Sequence, residues 1–455
     1  MDLDARMITN NCKEYCAGSD RRTGRRRSRD GSPHALRDVV RTAAILLALI
    51  LAASAHADVF RVLDDDRDAA QARVDIIQQA QKEIAAVYFL AHNDRITITA
   101  LALLRDAKRR GVGSVRLIVD ANFQHIPRAV LAHLRDEGVE VRVYHAITFR
   151  HPSWLFHRMH EKVVVVDGAR YIAGGRNLAE EYFGLRKRNF VDRDVYVDGP
   201  SAAQAQKHFE ELWNSSDVSD LRVRVSDADK ANASRLLDDA AGGNALRGFI
   251  ALNTGRNWSE GQTNAQAVRF LHDPVVGQSG ERVADQLAEV IETAKSEIVI
   301  ESPYLVPSGS MLTLLEKKLH DGVRVRIVTN SLRSCDGALP FAGYIKYRRR
   351  MVRDGIDLRE YRGPDTLHAK TLVIDGKTML VGSYNIDQRS ANLNTEVMCV
   401  AEDETLAKQL LASIDQHISH AWTVGARERH ASAPRAWRLR AWAARFVLPL
   451  LEGQL

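Results

Sequence analysis

The chain has 455 residues, which is long enough for about two or three full-sized domains. Its composition, 45% hydrophobic and 27% charged, excludes a disordered chain. The formal net charge is +6, but the positive excess lies before residue 42 and after residue 426, so the body is nearly neutral. A near-neutral body argues against a broad nucleic-acid surface, which normally shows as a basic patch.

The amino-terminal segment has the pattern of an export signal. Thr42–Ala57 contains a continuous apolar run, preceded by basic residues and followed by small residues at Ala55 and Ala57. The run is shorter than the roughly 20 residues of a membrane-spanning helix, and the small residues predict cleavage after Ala57. The basic region is longer than in ordinary signal peptides, so an uncleaved anchor and a downstream start codon remain alternatives. We predict a leader over 1–57.

The body is predicted to be one structural unit written twice. Both halves begin with a helical pattern that changes into an apolar strand, at Ala72–Leu90 and Val283–Leu305. Each continues with an amphipathic helix, a glycine and a Val/Ile-rich strand, at Leu103–Asp120 and Leu314–Asn330. Helices that alternate with fully apolar strands predict an α/β sandwich in each half, with a largely buried sheet.

The repeated pattern sets the predicted domain boundaries. The first lobe covers 58–216 and the second 267–425, and the polar segment 217–266 connects them, with a short helix around Ala231–Ala241. The tail over 426–455 is basic and rich in aromatic residues, which is typical of a helix that lies on an anionic membrane, although a helix docked on the protein is the alternative.

Cysteine and aspartate supply few other candidate sites. Four cysteines, two of them in the leader, are too few for a disulfide framework. Cys399 is predicted to be buried in a strand, and neither it nor Cys335 is given a redox role. The run Asp64–Asp66 is interpreted as a solvated turn rather than a metal site.

Two stretches with almost the same layout carry the candidate chemistry. His160–Asn177 reads HEKVVVVDGARYIAGGRN and His368–Asn385 reads HAKTLVIDGKTMLVGSYN. Residues i and i+2 of a strand point to the same face, so each histidine should project together with the lysine that follows it. These pairs are His160 with Lys162 and His368 with Lys370. Asp167 and Asp375 are predicted to begin the turns that follow the two strands.

Two histidines and two lysines that meet across the duplicated halves suit a phosphodiester. The lysines would balance the charge of the phosphate, one neutral imidazole would attack phosphorus, and the other would protonate the leaving alcohol. Each imidazole needs an orienting carboxylate, for which Asp194 and Glu396 are the candidates. This chemistry requires no metal or other cofactor, and the sequence has no HExxH motif or Cys/His cluster that would indicate one.

The paired pattern resembles the phospholipase D superfamily, whose motif H-x-K-x4-D-x6-G-[GS]-x-N occurs twice in one chain. Within it the sequence is most similar to the short bacterial cardiolipin synthases. The resemblance implies the fold class α/β, with two homologous phospholipase D-like α/β/α sandwich lobes related by a pseudo-twofold axis and one active site at their interface. The catalytic residues implied are His160, Lys162, Asp167, His368, Lys370 and Asp375, and the substrate-binding residues are Gly175, Asn177, Ser383 and Asn385.

The resemblance also implies an activity. It indicates a phosphatidyl transferase that makes a cardiolipin-type lipid from phosphatidylglycerol, or from it and a second phospholipid, through a covalent phosphohistidine. His160 would be the nucleophile and His368 the acid/base, although near-symmetry leaves their order open. Aromatic residues around Tyr182–Phe183 and Phe341–Tyr344 would line the acceptor pocket. A phospholipase D-type hydrolase and a metal-independent nuclease remain alternatives.

The predicted partners are phospholipid substrates and a membrane surface, without nucleic acid, and the oligomeric state is not predicted. The leader favours an exported protein on the periplasmic side of the inner membrane, with peripheral binding to the cytoplasmic face as the alternative.

Overall fold

A computed structural model describes residues 57–146, 154, 156–262, 264–275 and 278–425. The predicted leader and the basic tail lie outside these residues, apart from Ala57 at the end of the leader. Within the described ranges, no helix combines the length and the apolar character that crossing a membrane requires.

The first half alternates strands and helices as its hydrophobic pattern predicts. Its strands are β1 (Asp58–Leu63), β2 (Glu83–Tyr88), β3 (Ser114–Asp120), β4 (Glu140–Tyr144), β5 (Lys162–Val166), β6 (Arg170–Gly174), β7 (Phe190–Val191), β8 (Asp194–Asp198) and β9 (Val218–Asp220). Its helices are α1 (Asp66–Gln78), α2 (Arg95–Arg109), α3 (Arg128–Asp136), α4 (Ala202–Trp213) and α5 (Asp227–Ala241), with a 3₁₀ turn at Glu180–Phe183.

The second half repeats this order. Its strands are β10 (Asn264–His272), β11 (Glu297–Glu301), β12 (Arg324–Asn330), β13 (Asp357–Tyr361), β14 (Thr366–Leu367), β15 (Thr371–Ile374), β16 (Thr378–Gly382), β17 (Val397–Glu402) and β18 (Ala421–Thr423). Its helices are α6 (Val283–Glu292), α7 (Gly309–His320), α8 (Ala338–Asp354), α9 (Gln388–Asn392) and α10 (Glu404–Ser419).

The two halves share one continuous sheet. Sixteen strands follow the order β18-β13-β12-β11-β15-β16-β17-β10-β1-β8-β6-β5-β2-β3-β4-β9, and β1 pairs with β10 at the centre. Read outward from this junction, the two halves have the same strand order, which confirms the two predicted α/β lobes. The lobes are joined through the hydrogen bonds of β1 and β10 as well as through side-chain packing.

The valine-rich strand β5 is buried on both faces. Val164 and Val166 belong to the core between the sheet and the outer helices of the first lobe. Val163 and Val165 face the opposite way, into the core that both lobes build together. Because both faces are dry, the strand reads as a continuous apolar run rather than an alternating one, and it forms a rigid support for the residues at its entrance.

The segment between the lobes is more than a connector. It begins with β9, which pairs with β4 at the sheet edge. Helix α5 starts at Asp227, capped by Ser226, four residues before the predicted start, and it packs against α2 and α3. Leu237 and Trp258 of this segment are buried in the core of the first lobe. The many polar residues of this segment lie on its outer side, so its sequence does not reveal the apolar residues that are buried.

The aspartate run Asp64–Asp66 lies at the bend that leads into α1, where Asp64 and Asp65 are exposed, and its members also form ion pairs and a helix cap. Asp64 accepts a hydrogen bond from Arg193 at 2.5 Å, Asp65 caps α1, and Asp66 accepts one from Arg176 at 2.8 Å. Arg193 is fully buried, and its Nη1 also forms an ion pair with Glu301 of the second lobe. The run therefore neutralises buried arginines, one of which links the lobes.

The predicted burial of Cys399 is confirmed. Its side chain is fully buried within β17, and Cys335 is also a buried free thiol. Burial raises the pKa of both thiols to about 12, so neither forms a thiolate readily near neutral pH.

Candidate active site

The two motif histidines line one cavity of about 670 Å³ at the junction of the lobes. Each is held in place by the backbone of the opposite lobe. The backbone N–H of His160 donates to the carbonyl of Thr395 at 2.9 Å, and that of His368 donates to the carbonyl of Val191 at 2.7 Å. Next to His368, β14 pairs in parallel with β7 across the lobes. The sequence predicted this convergence, and the structure supplies the contacts that produce it.

The imidazole of His160 is oriented by a carboxylate of the second lobe. Its Nδ1 lies 3.0 Å from Oε2 of Glu396, and Glu396 is completely buried. Ser383 donates to the same oxygen at 2.5 Å, while Ser390 and Asn394 donate to Oε1 at 2.7 and 3.1 Å. Burial alone would raise the pKa of Glu396, but His160, Lys162 and Ser383 outweigh it and lower the pKa. An ionised Glu396 keeps the proton of His160 on Nδ1 and leaves Nε2 for the substrate.

The imidazole of His368 is oriented by a carboxylate of the first lobe. Its Nδ1 lies 2.5 Å from Oδ2 of Asp192, which the sequence did not single out. Burial would raise the pKa of Asp192, but His368, Lys370 and Arg176 outweigh it and lower the pKa to about 2. The two histidine–carboxylate pairs thus cross between the lobes in opposite directions, so neither lobe holds a complete site alone.

Asp194 does not orient either histidine, contrary to the prediction. Its Oδ2 accepts hydrogen bonds from Arg73 at 2.9 Å and from Arg176 at 3.3 Å, all of them buried. The register explains the error. Asp194 pairs with Gly174 across β8 and β6, whereas Gly382 pairs with Met398, so the residue equivalent to Glu396 lies two positions before Asp194. That residue is Asp192. The sequence FVDRD offers both aspartates, and only strand pairing distinguishes them.

Lys162 and Lys370 lie beside the histidines, as the two-residue spacing predicted. The Nζ of each donates to the carbonyl of the histidine two residues before it. Lys370 Nζ also lies 2.7 and 3.1 Å from the two ring nitrogens of His368, whereas Lys162 Nζ lies over the ring of Phe89 at 5.1 Å. Burial lowers the pKa of Lys162 to about 7 and that of Lys370 to about 8. Their charge is therefore readily stabilised by an anionic ligand.

The surroundings of both imidazoles favour their neutral form. Burial is the largest effect, and with the neighbouring lysines it lowers the pKa of His160 to about 4 and also lowers that of His368. A neutral imidazole has the lone pair that nucleophilic attack on phosphorus requires. A bound phosphate would place negative charge near the rings and favour the protonated form of the one that acts as acid.

Asp167 and Asp375 lie at the far end of the motif strands and do not line the cavity. Strand β5 has 5 residues and spans roughly 17 Å, and Asp167 follows its far end while His160 precedes its start. It accepts backbone hydrogen bonds from Gln81, Lys82 and Glu83. Asp375 accepts the equivalent bonds from Lys295, Ser296 and Glu297. Both aspartates fix the loop before a neighbouring strand, so the predicted catalytic role is replaced by a structural one.

The predicted substrate-binding residues fall into two groups. Asn177 and Asn385 line the cavity. Asn177 accepts a bond from the backbone of Leu90 at 3.1 Å, and the buried Oδ1 of Asn385 has no hydrogen-bond partner among the described residues. Gly175 and Ser383 lie behind the histidines, where Ser383 bonds Glu396 and Gly175 adjoins Asp192. These two support the orienting carboxylates.

Five Phe and Tyr side chains line the cavity, but three of the four aromatic residues proposed for it lie elsewhere. Tyr182 lines the cavity, together with Phe89, Phe123, Phe190 and Tyr304. Phe183 is buried in the first lobe, and Phe341 and Tyr344 are buried in the second. The local sequence identified apolar segments correctly, but the direction of each side chain depends on packing.

Cationic groups lie at one side of the cavity. Arg158 and Arg389 line it together with Asn122 and Phe123. Arg158 is 3% exposed and lies 3.8 Å from Asp120, and Arg389 donates to the carbonyl of Phe156 at 3.0 Å. Sequence reasoning missed both, because neither belongs to the repeated motif.

Comparisons with known proteins agree with this architecture. A family model described as cardiolipin synthase, PLD-like domain, matches residues 74–213 and 287–418, more than half of the chain. The chain is 30% identical over 390 residues to cardiolipin synthase C of Escherichia coli strain K12, covering 76% of this chain and 82% of that protein. It is 26% identical over 384 residues to cardiolipin synthase A of Pseudomonas syringae pv. syringae strain B728a, covering 82% and 71%. The solved structure of phosphatidylserine synthase from Haemophilus influenzae Rd KW20 superposes with a TM-score of 0.66 at 17% identity, covering 87% of this chain and 95% of that one.

Proposed function

Because the chain belongs to the cardiolipin synthase family of phospholipase D-like phosphatidyltransferases, we propose that it joins two phospholipids into a cardiolipin-type product, with phosphatidylglycerol as one substrate. The main support is the cavity at the lobe junction, where His160 and His368 are each oriented by a carboxylate and accompanied by a buried lysine. This arrangement provides a nucleophile, an acid and two cations for one phosphodiester.

In the first step, Nε2 of His160 attacks the phosphorus of phosphatidylglycerol. A P–N bond forms, the P–O bond to the glycerol headgroup breaks, and protonated His368 gives its proton to the leaving alkoxide. Lys162 and Lys370 stabilise the negative charge of the pentavalent transition state. His160 is the better nucleophile of the pair, because Lys370 Nζ contacts both ring nitrogens of His368.

In the second step, the hydroxyl of another phospholipid headgroup attacks the phosphorus of phosphatidyl-His160. Its proton passes to His368, the P–N bond breaks, and the new phosphodiester leaves with His160 neutral again. Atoms and charges balance without a redox or metal cofactor. The acceptor alcohol must be held close to phosphorus, where effective molarities of about 10⁵–10⁸ M allow it to compete with water.

The remaining walls suit this acceptor. Phe190 and Tyr304 approach the ring of His368, with centroids 5.0 and 6.4 Å away, and limit the room for water there. Arg158 and Arg389 lie among the other lining residues and are suited to the second phosphate that a phosphatidylglycerol acceptor carries. An acceptor with its own phosphate therefore fits the cavity better than water does.

We further propose that the enzyme acts on a membrane surface after export. The support comes from the sequence of Thr42–Ala57, the basic and aromatic tail, and the lipid character of the proposed substrates. Amino-terminal sequencing of the native protein should begin at Asp58. A mature chain that retains Leu46–Leu51 would contradict cleavage of the leader.

Lipid analysis tests the proposed reaction. The gene is expressed in a bacterial host that lacks cardiolipin, and total lipids are measured by mass spectrometry. We expect cardiolipin-type lipids with wild-type protein and none with His160→Ala or His368→Ala. Phosphatidic acid without cardiolipin would instead assign a phospholipase D-type hydrolase.

The covalent step has a separate test. Protein incubated with phosphatidylglycerol labelled in the phosphate should carry an acid-labile, base-stable phosphoryl group. This label should be absent in His160→Ala, whereas His368→Ala should still form it slowly from a lipid with a good leaving group. Label that persists in His160→Ala would make His368 the nucleophile.

A further inference from the structure

A second group of potential ligands lies behind the active site. His208 and Glu211 are three residues apart on α4 and therefore share a helix face, and His272 ends β10 of the second lobe. One ligand atom from each of the three residues lies within 4.8 Å of the others. We propose that this group binds a divalent transition-metal ion such as Zn²⁺.

The two histidines are already arranged as metal ligands. Nε2 of His208 lies 2.9 Å from Oε2 of Glu161, and Nδ1 of His272 lies 3.0 Å from the carbonyl of Asp273. Metal-bound histidines usually donate their other ring nitrogen to a carboxylate or a backbone carbonyl in this manner. The opposite ring nitrogens, Nδ1 of His208 and Nε2 of His272, are then available to the metal.

The unpaired ring nitrogen of His208 is the strongest indication of a ligand site. His208 is 3% exposed, and its Nδ1 is buried without a hydrogen-bond partner among the described residues. A buried polar atom left unpaired is costly in a folded protein. The ring of His272 lies beside it, with centroids 4.2 Å apart, so a shared ion would satisfy both rings.

The third ligand gives the site access to solvent. The side chain of Glu211 is 23% exposed, and it forms a 3.7 Å ion pair with the exposed Lys207. Two imidazoles and one carboxylate are a ligand set typical of zinc, with water completing the coordination. Glu211 can rotate towards the ion without breaking a buried contact.

A second group of similar composition does not have these properties. His92, Asp94 and Glu181 also lie close together. However, Asp94 accepts bonds from the backbone of Thr97 and Glu180, and Nδ1 of His92 lies 3.1 Å from Glu181. Its ligand atoms already have protein partners, so this group serves as the internal comparison.

The proposed metal would brace the junction of the lobes. Glu161 lies between His160 and Lys162 in the sequence, and its partner His208 belongs to the first lobe. His272 precedes Asp273, whose backbone and side chain exchange hydrogen bonds with the backbone of Glu396 at 3.0 and 2.8 Å. The ion would connect the strand entrance that carries His160 to the segment that carries its carboxylate. It touches no reacting atom, so its role is structural.

Metal binding is tested on full-length protein without a polyhistidine tag, stripped with EDTA and dialysed. Calorimetric titration with Zn²⁺ should show one site with a micromolar or lower Kd, and saturating Zn²⁺ should raise Tm by roughly 2–5 °C. Co²⁺ should give the visible absorption bands of a low-symmetry site of low coordination number. These readouts do not depend on lipid chemistry, so they stand apart from the proposed reaction.

The variants His272→Gln and Glu211→Gln should each weaken Zn²⁺ binding at least about tenfold and reduce the Tm shift. Glu211→Gln changes a partly exposed side chain and so covers the case in which His272→Gln folds poorly. His92→Gln is the matched control and should bind like the wild type. Wild-type protein without a Tm shift, or unchanged binding in both site variants, would overturn the proposal.

Discussion

Gly175 adjoins Asp192 so closely that a Cβ atom at Gly175 would lie 2.0 Å from the Oδ1 of Asp192. The equivalent position in the second lobe is Ser383, whose hydroxyl instead donates to Glu396 at 2.5 Å. The lobes therefore support their orienting carboxylates in different ways, one by leaving space and the other by a hydrogen bond. The motif allows either residue, and the carboxylate opposite determines which one fits.

Gly175→Ser should displace Asp192 from His368. We expect kcat to fall at least about tenfold, since a misplaced orienting group costs this much or more, with a lower Tm because Asp192 is buried. Ser383→Gly, the matched change in the other lobe, removes one hydrogen bond to Glu396 without a clash and should reduce kcat less. Steady-state kinetics and thermal melts of both variants measure this difference, and equal losses would contradict it.

Asp192→Asn and Asp194→Asn should have separable effects. Asp192→Asn removes the charge beside His368 and should lower kcat by about 10²–10⁴-fold while the protein stays folded. Asp194→Asn leaves Arg73 and Arg176 without their shared buried partner. It should lower the free energy of unfolding by about 3–5 kcal/mol with activity per folded molecule retained. Denaturant unfolding measures the stability of both variants, and kinetics on the folded fraction measures their activity. Lost activity in Asp194→Asn with lost stability in Asp192→Asn would restore Asp194 as the orienting residue.

The pKa values of the lysines predict the alkaline limit of the reaction. Burial lowers the pKa of Lys162 to about 7 and that of Lys370 to about 8. Both are protonated below these values, so kcat/KM should fall as the pH rises through this range and the phosphate clamp loses its charge. The arginine of Lys162→Arg keeps its charge, so the alkaline decrease of kcat/KM should move to higher pH, although the maximum rate of this variant should be lower. Lys377→Arg, at an exposed position, should leave the profile unchanged.

Asp375→Asn should alter stability rather than catalysis. Burial would raise the pKa of Asp375, but its backbone hydrogen bonds outweigh this and lower the pKa to about 2. Its contribution to stability is therefore complete above the unfolded pKa of about 3.9 and is lost as the pH falls towards 2. The variant should show a smaller drop in Tm between about pH 6 and pH 3, with unchanged kcat. Asp321→Asn, at an exposed helix end, is the control, and a large loss of kcat in Asp375→Asn would return Asp375 to the active site.

Arg389→Gln should weaken the acceptor lipid selectively. If Arg389 binds the acceptor phosphate, its loss should raise KM for phosphatidylglycerol by about tenfold or more and affect kcat less. Arg353→Gln, which lies on an exposed helix surface, provides the comparison. Assays in mixed micelles at constant surface concentration would measure both parameters. An unchanged KM would remove Arg389 from the acceptor site.

The sequence predicted the two α/β lobes because their elements repeat with the same change of hydrophobic period, and local side-chain patterns are sufficient for that. It also predicted that His160 and Lys162 would project together, since the two-residue period of a strand is a local property. The internal duplication made the same prediction for His368 and Lys370. Composition alone did not suggest that the segment 217–266 contributes to a core, because its buried apolar residues are spread over one helix face and the irregular chain that follows.

Only the tertiary structure decided which carboxylate serves which histidine. Asp192 and Asp194 are equally plausible in the sequence, and the choice depends on the pairing of β6 with β8 and on the approach of the opposite lobe. Asp167 and Asp375 occupy conspicuous positions in the motif, yet the length of the strands places them away from the cavity. There they accept hydrogen bonds from the backbone of a neighbouring loop. These hydrogen bonds join residues 79 to 236 positions apart, and such contacts leave no local periodicity in the sequence. The sequence therefore determined the elements and the reactive side chains, whereas long-range packing determined their partners.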